Sequence, residues 1–193
     1  MSHDPKVLFV TDRDELAALL ETLPDELLAQ GHRAYQRRFG PDEALLAVAL
    51  AHPDQRVGIA AVTAVPRGLL TPELARQWMQ DPSWLVAEYG AYVAGELEDS
   101  SLVTTLITLA SGHEEMLVRE AALASLGAIG DERGLPVVIE ALRSKNVYFR
   151  RRALVVSVAF ESDELTRAVE ELRNDRDAQI RQLFVDLERD PYQ

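Results

Sequence analysis

The densest group of cationic side chains in this acidic chain lies between positions 143 and 152. Two aromatic residues interrupt its five cations in the segment Arg143-Ser144-Lys145-Asn146-Val147-Tyr148-Phe149-Arg150-Arg151-Arg152. Clustered cations with aromatics among them are typical of sites that bind phosphate, a nucleic-acid backbone or an acidic protein surface. The alternative is structural: Arg150 forms an ion pair within the fold, while Arg151 and Arg152 cover a solvated helix face. Successive helical residues are about 100° apart, so these three arginines span a broad arc and cannot form one tight pocket.

A second group combines aromatic and acidic side chains between positions 78 and 92. Its members are Trp78, Asp81, Trp84, Glu88, Tyr89 and Tyr92. An aromatic cleft with a carboxylate can hold a cationic nucleobase. The alternative is that Trp78 and Trp84 pack across the turn between two helices, because aromatics at helical spacing usually belong to the core. Residues 81–101 contain five acids and no lysine or arginine, which argues against a DNA-binding rim there.

Other chemistries lack the residues that they need. The chain has no cysteine, which excludes disulfides and thiolate metal sites. The four histidines, His3, His32, His52 and His113, do not pair at metal-ligand spacing, and the chain contains neither an HExxH nor a GxSxG motif. His52 and His113 precede similar stretches of sequence, which indicates a role in turns. We therefore predict no catalytic residue, no metal site and no cofactor.

Composition and charge narrow the class of protein further. The sequence is 47% hydrophobic but only 6% aromatic, a mixture that suits closely packed helices better than a sheet-rich core. The net charge of -12 disfavours nucleic acid as a partner of the whole molecule. The apolar run Val7-Leu8-Phe9-Val10 is too short for a signal peptide or a membrane span, so we expect a cytoplasmic protein without a membrane partner.

An internal repeat organises most of the chain. Five apolar residues that open similar blocks, here called the anchors, are Val57, Val86, Val118, Phe149 and Ile180. They are separated by 29, 32, 31 and 31 residues, and the residue four positions after each anchor is small in four of the five blocks. Each anchor follows a turn-forming segment, and each block contains two stretches with helical periodicity. A period near 31 with two helices per unit predicts a right-handed α-solenoid, an all-α fold of about five to six stacked helix pairs.

The helical pattern and the turn residues give approximate bounds for each element. The predicted helices are 12–22, 24–38, 42–51, 54–65, 72–80, 83–95, 99–110, 114–128, 132–143, 147–160, 163–173 and 176–189. Thr71 and Pro72 are expected to begin a helix, and Gly95, Gly127 and Gly130 to end helices. We expect one domain over 1–193, with a divergent N-terminal cap (1–40), repeats (41–175) and a C-terminal cap helix (176–193).

The segment Val118-Arg119-Glu120-Ala121-Ala122-Leu123-Ala124-Ser125-Leu126-Gly127-Ala128-Ile129-Gly130-Asp131 resembles HEAT repeats, in particular the short bacterial type named after phycobilisome lyases. The likeness is closest over 113–144, extends through 145–189 and weakens over 42–112, where Gly58 and Ala87 replace the arginine of the Val-Arg pair. The resemblance implies a curved solenoid and a protein-binding role. The HEAT-repeat family includes chromophore lyase subunits and scaffolds, and DNA-alkylation glycosylases are among its relatives. The fold alone therefore does not determine the activity.

We predict a non-catalytic protein–protein interaction module that binds a partner protein along one solenoid face, beside the anchors and including Glu88 and Glu120. The predicted partner-binding residues are Arg119, Lys145, Tyr148, Arg151 and Arg152. The alternative is a nucleic-acid-binding or DNA-glycosylase-like repeat protein that uses Trp78, Trp84 and the arginines of 150–152. Both a monomer and a homodimer remain open, because residues 7–10 could cover the first repeat or pair with their copy in a second chain.

Overall fold

A computed structural model describes residues 9–188, and in that part the chain forms twelve α-helices and no strand. The helices are α1 (Arg13–Leu20), α2 (Asp25–Phe39), α3 (Glu43–Leu50), α4 (Gln55–Val62), α5 (Pro72–Met79), α6 (Trp84–Leu97), α7 (Val103–Gly112), α8 (Met116–Ile129), α9 (Leu135–Leu142), α10 (Val147–Val156), α11 (Asp163–Glu171) and α12 (Ala178–Glu188). All twelve predicted helices are present, with bounds shifted by a few residues. At the start of α7 the shift has a local cause, because Ser100–Leu102 forms a turn of 3-10 helix before it.

Side-chain caps explain where several helices begin. Thr71 Oγ1 accepts a hydrogen bond from the Leu74 amide at 3.3 Å, and Pro72 occupies the first turn of α5, as predicted. The Asn146 side chain accepts from the amides of Tyr148 and Phe149 at the start of α10. Such caps satisfy amides that have no partner within the helix.

The helices stack in two layers. Helices α2, α4, α6, α8, α10 and α12 each pack on the next and form one layer, here called the even layer. Helices α5, α7, α9 and α11 pack on one another in a second layer, and each odd helix from α1 to α9 also contacts the even helix that follows it. This side-by-side stacking of helix pairs is the predicted α-solenoid. None of the helices between residues 9 and 188 is long and apolar enough to cross a bilayer.

The anchors form the inner edge of the even layer. All five are buried, at 0–3% exposure, and lie in the first half of α4, α6, α8, α10 and α12. The residues four positions later, Ala61, Gly90, Ala122, Ala153 and Phe184, are buried too. One hydrophobic core runs from Leu46 to Phe184 through these positions. The spacing of the anchors in the sequence therefore corresponds to the step from one even helix to the next along this core.

Two glycines have a different role from the one predicted. Gly95 and Gly127 lie within α6 and α8, which end instead at Glu98 (φ 52°) and Gly130 (φ 67°). A Cβ atom on Gly95 would be 2.7 Å from Ser125 Oγ, and one on Gly127 would be 2.8 Å from Val156 Cγ1. These glycines allow neighbouring even helices to approach closely, and only Gly130 is the cap that the sequence predicted.

The N-terminal helix pair has a small core of its own. Leu16, Leu20 and Tyr35 form a cluster apart from the main one. Arg13 ties the pair to the start of α3, since its Nε donates to Tyr35 Oη at 2.8 Å and its Nη2 lies 2.9 Å from Asp42 Oδ2. Of the apolar run 7–10, for which the sequence left open both covering the first repeat and pairing with a second chain, positions 7 and 8 lie outside the described residues. Val10 packs against the small cluster.

Candidate interaction groove

The same local device starts every even helix from α4 to α12. The residue five positions before each anchor accepts a hydrogen bond from the amide two residues further on. These acceptors are His52, Asp81, His113, Ser144 and Asp175, at distances of 3.1, 2.8, 3.0, 3.2 and 2.8 Å. The predicted turn role of the two histidines is confirmed, since Nδ1 of each is the acceptor. A common start gives these helices a common register, so equivalent residues face the same side.

The anchors point into the core. On each of these helices, the side facing away from the centre of the core therefore carries the residue just before the anchor and the residues two, three and six positions after it. On this open side, a groove of about 670 Å³ crosses α4, α6, α8 and α10. Its walls are formed by Ile59, Leu85, Glu88, Tyr89, Tyr92, Leu117, Glu120, Ala121, Ala124, Ser125 and Arg152. All of them belong to even helices, so the groove runs across the face that points away from the odd layer.

Most of the groove wall is apolar, and two of its large side chains are exposed to solvent. Leu117 is 47% exposed and Tyr92 is 55% exposed, although both are large hydrophobic side chains. The rings of Tyr89 and Tyr92 stack with centroids 6.1 Å apart, and Tyr89 contacts the buried Trp78 at 5.8 Å. The aromatic wall therefore rests on the core and is held in place by it.

Two carboxylates interrupt the apolar wall. Glu88 on α6 and Glu120 on α8 stand two positions after their anchors, and both are half-buried. Burial raises the pKa of the Glu88 carboxyl, and the negative charge of Glu120 adds to that effect. Within residues 9–188 neither carboxylate has an ion-pair partner.

The repeat units that build this groove match a known family. A family model for HEAT repeats matches residues 71–159, from α5 through the end of α10. Residues 71–159 are therefore HEAT-like repeats. The match does not extend to the phycobilisome-lyase subtype that the sequence suggested. A search of curated proteins finds no match to the chain.

The arginine that follows the anchor in the HEAT pattern is turned into the fold. Arg150 is buried and forms a bidentate ion pair with Asp175, and it also donates to the carbonyls of Ser144 and Lys145 at 2.8 and 3.1 Å. The structural interpretation of Arg150 is therefore confirmed. The same contacts argue against the nucleic-acid-binding alternative. A buried guanidinium that is hydrogen-bonded on both its edges is not available to a nucleic acid.

The other arginines of the cationic segment diverge, as their helical spacing predicted. Arg151 is half-buried, 3.7 Å from Asp177 Oδ1, with its guanidinium 5.7 Å from the centre of the Tyr148 ring. Arg152 is exposed and borders the groove. Together with Glu120 and Val155, these three side chains line a shallow pocket of about 250 Å³ beside the groove.

Arg119 and Lys145, the other predicted partner-binding residues, lie away from the groove wall. Arg119 Nε donates to the Ala110 carbonyl at 2.9 Å, and its guanidinium lies 4.7 Å from the centre of the Phe149 ring. It therefore links α7, α8 and α10 inside the HEAT stack. Lys145 is exposed in the turn before α10.

Of the two interpretations of the aromatic group, the structure does not form the one in which Trp78 and Trp84 line a cleft for a nucleobase. Trp78 has 0% exposure and belongs to the main core, and Trp84 packs against that core. A fully buried ring cannot stack on a ligand that enters from solvent, so the packing interpretation is the correct one. Among the described residues 9–188, no group of three or more His, Asp or Glu side chains is arranged to hold a metal ion.

The sequence pattern singled out Glu88, Tyr89, Tyr92 and Glu120 but not the aliphatic part of the groove. Leu85 and Leu117 stand one position before their anchors, and Ile59 stands two positions after its anchor. The signal that identifies them is an apolar residue on the side of a HEAT helix opposite to its buried anchor. Such a residue is covered only in part by its neighbours within the stack.

Proposed function

We propose that this HEAT-like protein is a non-catalytic interaction module that binds a segment of a partner protein in the groove of the even layer. HEAT repeats are commonly protein-interaction scaffolds. The observation that carries the proposal is the groove itself, a preformed depression across four stacked helices whose wall leaves large apolar side chains in water.

Physical chemistry favours an occupied groove. Removing apolar surface from water contributes roughly 25 cal/mol per Å², and exposed aromatic and aliphatic side chains set in a depression are typical binding hot spots. The helices of a solenoid are held by their neighbours, so the wall loses little conformational freedom on binding. The dimensions suit a short extended segment or one face of an amphipathic helix from the partner.

The proposal keeps the four predicted binding residues on or just before α10 and gives Arg119 a structural role. Tyr148, Arg151 and Arg152 extend the binding surface across α10, and Lys145 lies at the start of the same helix. Arg119 acts through the packing of α8 rather than by touching the partner. The same proposal treats 1–193 as one domain that acts in the cytoplasm.

A nucleic-acid partner is less compatible with this surface. Two carboxylates stand in the groove wall, and Arg152 is the single cation among its described lining residues. Nucleic-acid affinity depends on neutralising many phosphates with lysine and arginine, which this wall does not offer.

Site-specific photo-crosslinking in the native cell tests the proposal. A photoreactive amino acid replaces Leu117 in the groove or, as the matched control, Thr104, which is exposed on α7 of the odd layer. We expect a discrete protein adduct from position 117 and none from position 104. Adducts of equal yield at the two positions, no adduct at 117, or an adduct that nuclease removes would contradict the proposal.

A further inference from the structure

We propose that the partner segment in the groove carries a lysine or arginine whose cationic group lies between Glu88 and Glu120, with apolar residues on both sides of it. This inference rests on the proposed function and defines the chemistry of the occupant.

The two carboxylates meet in the groove because they occupy equivalent positions on neighbouring helices. Each stands two residues after its anchor, on α6 and α8, which pack directly on each other. Their charges affect each other, since the charge of Glu120 raises the pKa of Glu88. In the free protein, two half-buried negative charges therefore repel each other in an apolar wall, and a partner cation would relieve this repulsion.

The surroundings of these carboxylates distinguish them from other acidic residues of the chain. Asp54, Asp131 and Asp175 also stand close to helix starts, but each has an arginine within 2.9 Å. Glu88 and Glu120 are instead surrounded by Leu85, Leu117 and the tyrosines of the groove. A segment that combines one cation with apolar neighbours matches both features of this wall.

The tyrosines add a second attraction for a cation. Tyr92 is exposed and its ring stacks on Tyr89, which follows Glu88 directly in α6. A lysine or arginine held over the face of an aromatic ring gains electrostatic energy from the ring's negative face. The long aliphatic stem of either residue can at the same time cover the exposed Leu117.

Arg152 determines the orientation of the partner segment in the groove. It borders the groove on α10, and within residues 9–188 it forms no ion pair with Glu88 or Glu120. A partner cation beside Arg152 would be repelled, whereas an acidic partner residue there would be attracted. The partner segment therefore places its cation over α6 and α8 and its polar or acidic end over α10.

A display library of random twelve-residue peptides, selected on the full chain, is the probe for this inference. We expect the peptides whose binding is lost in the Leu117→Asp variant to be enriched in lysine or arginine flanked by apolar residues. One such peptide is then synthesised with its basic residue and with norleucine or citrulline in its place, and its affinity is measured by fluorescence anisotropy.

The variants separate the charge of the wall from its shape. The double change Glu88→Gln and Glu120→Gln keeps side-chain size, and we expect it to weaken binding of the basic peptide about ten-fold or more. The neutral peptide should bind the double variant as well as it binds the original chain. Glu140→Gln, an exposed acid on α9 of the odd layer, is the matched control and should change neither affinity.

The outcomes distinguish this inference from the function on which it rests. Peptides that depend on Leu117 but show no enrichment of basic residues, or that bind the Glu88→Gln and Glu120→Gln variant unchanged, overturn the inference and leave the groove as a binding site. A selection that yields no peptide dependent on Leu117 overturns both. Thermal unfolding of each variant checks that the solenoid is intact.

Discussion

Arg150 and Asp175 form a bidentate ion pair, with Nε–Oδ2 and Nη2–Oδ1 both at 2.9 Å and with both side chains less than a tenth exposed. The pair joins α10 to the turn before α12. The Asp175 side chain also accepts a hydrogen bond from the amide of Asp177 at 2.8 Å. Burial acts to raise the pKa of Asp175, but the hydrogen bonds from Arg150 and from the Asp177 amide outweigh it and the pKa is lowered. The Asp175 carboxylate thus forms an ion pair with an arginine of one repeat and accepts a hydrogen bond at the start of the next repeat.

Removing this carboxylate should be costly. Asp175→Ala leaves the Arg150 guanidinium buried without its counter-charge, and we expect a loss of about 3–5 kcal/mol in the free energy of unfolding. Because a solenoid is stabilised by nearest-neighbour contacts, the loss should appear as faster hydrogen exchange in α11 and α12, with α6 unchanged. Arg56→Ala, which removes the exposed pair with Asp54, is the control and should alter neither measurement. Equal effects of the two changes would contradict a special role for the buried pair.

His32 should make the stability of the N-terminal helices depend on pH. Burial lowers the pKa of this side chain, and its electrostatic interaction with His52 lowers it further. Below about pH 6.5 the unfolded chain therefore binds a proton that the folded chain resists, so the free energy of unfolding falls as the pH drops. The variant His32→Leu should lose part of this dependence. Urea unfolding of both proteins between roughly pH 7.5 and 5.5 measures this dependence. Identical slopes of the unfolding free energy against pH would refute the role of His32.

Gly90 should tolerate no side chain. A Cβ atom there would lie 2.6 Å from the backbone nitrogen of Met79, in the contact between α5 and α6. Gly90→Ala therefore forces the two backbones apart, and we expect a destabilisation of about 1–3 kcal/mol or more. Gly112→Ala is the matched control, because a Cβ atom at this end of α7 would have no neighbour within 4 Å. A thermal shift of the same size for both would show that propensity, rather than close approach, decides the effect.

Charge reversal on α10 should separate binding from stability. Arg152→Glu alters an exposed side chain at the edge of the groove, so we expect weaker capture of the groove-binding peptides with the melting temperature nearly unchanged. Arg151→Glu places a carboxylate near Asp177, which lies 3.7 Å from the native guanidinium, and should lower the melting temperature as well. Undiminished peptide binding by the Arg152→Glu variant would remove α10 from the binding surface.

The repeat and its structural consequences could be predicted from the amino-acid sequence. Because each anchor must be buried and each turn must satisfy free amides, the 29–32-residue spacing predicted the stacked helix pairs and the buried face of the even layer, and the helical pattern with its turn residues predicted the helices before them. The turn role of His52 and His113 followed for the same reason, since local hydrogen bonds depend only on residues close in the chain.

The neighbours of each helix depend on contacts between residues far apart in the chain, which the sequence pattern does not reveal. Gly95 and Gly127 look like helix ends in the sequence, but their role depends on Ser125 and Val156 of the adjacent helix. The sequence also could not choose between an exposed and a buried Arg150, because its partner Asp175 lies twenty-five residues away. The groove has the same origin. The positions of its two carboxylates follow from the repeat, but its depth depends on how closely the stacked helices approach, which is set by packing across the core rather than by any local pattern.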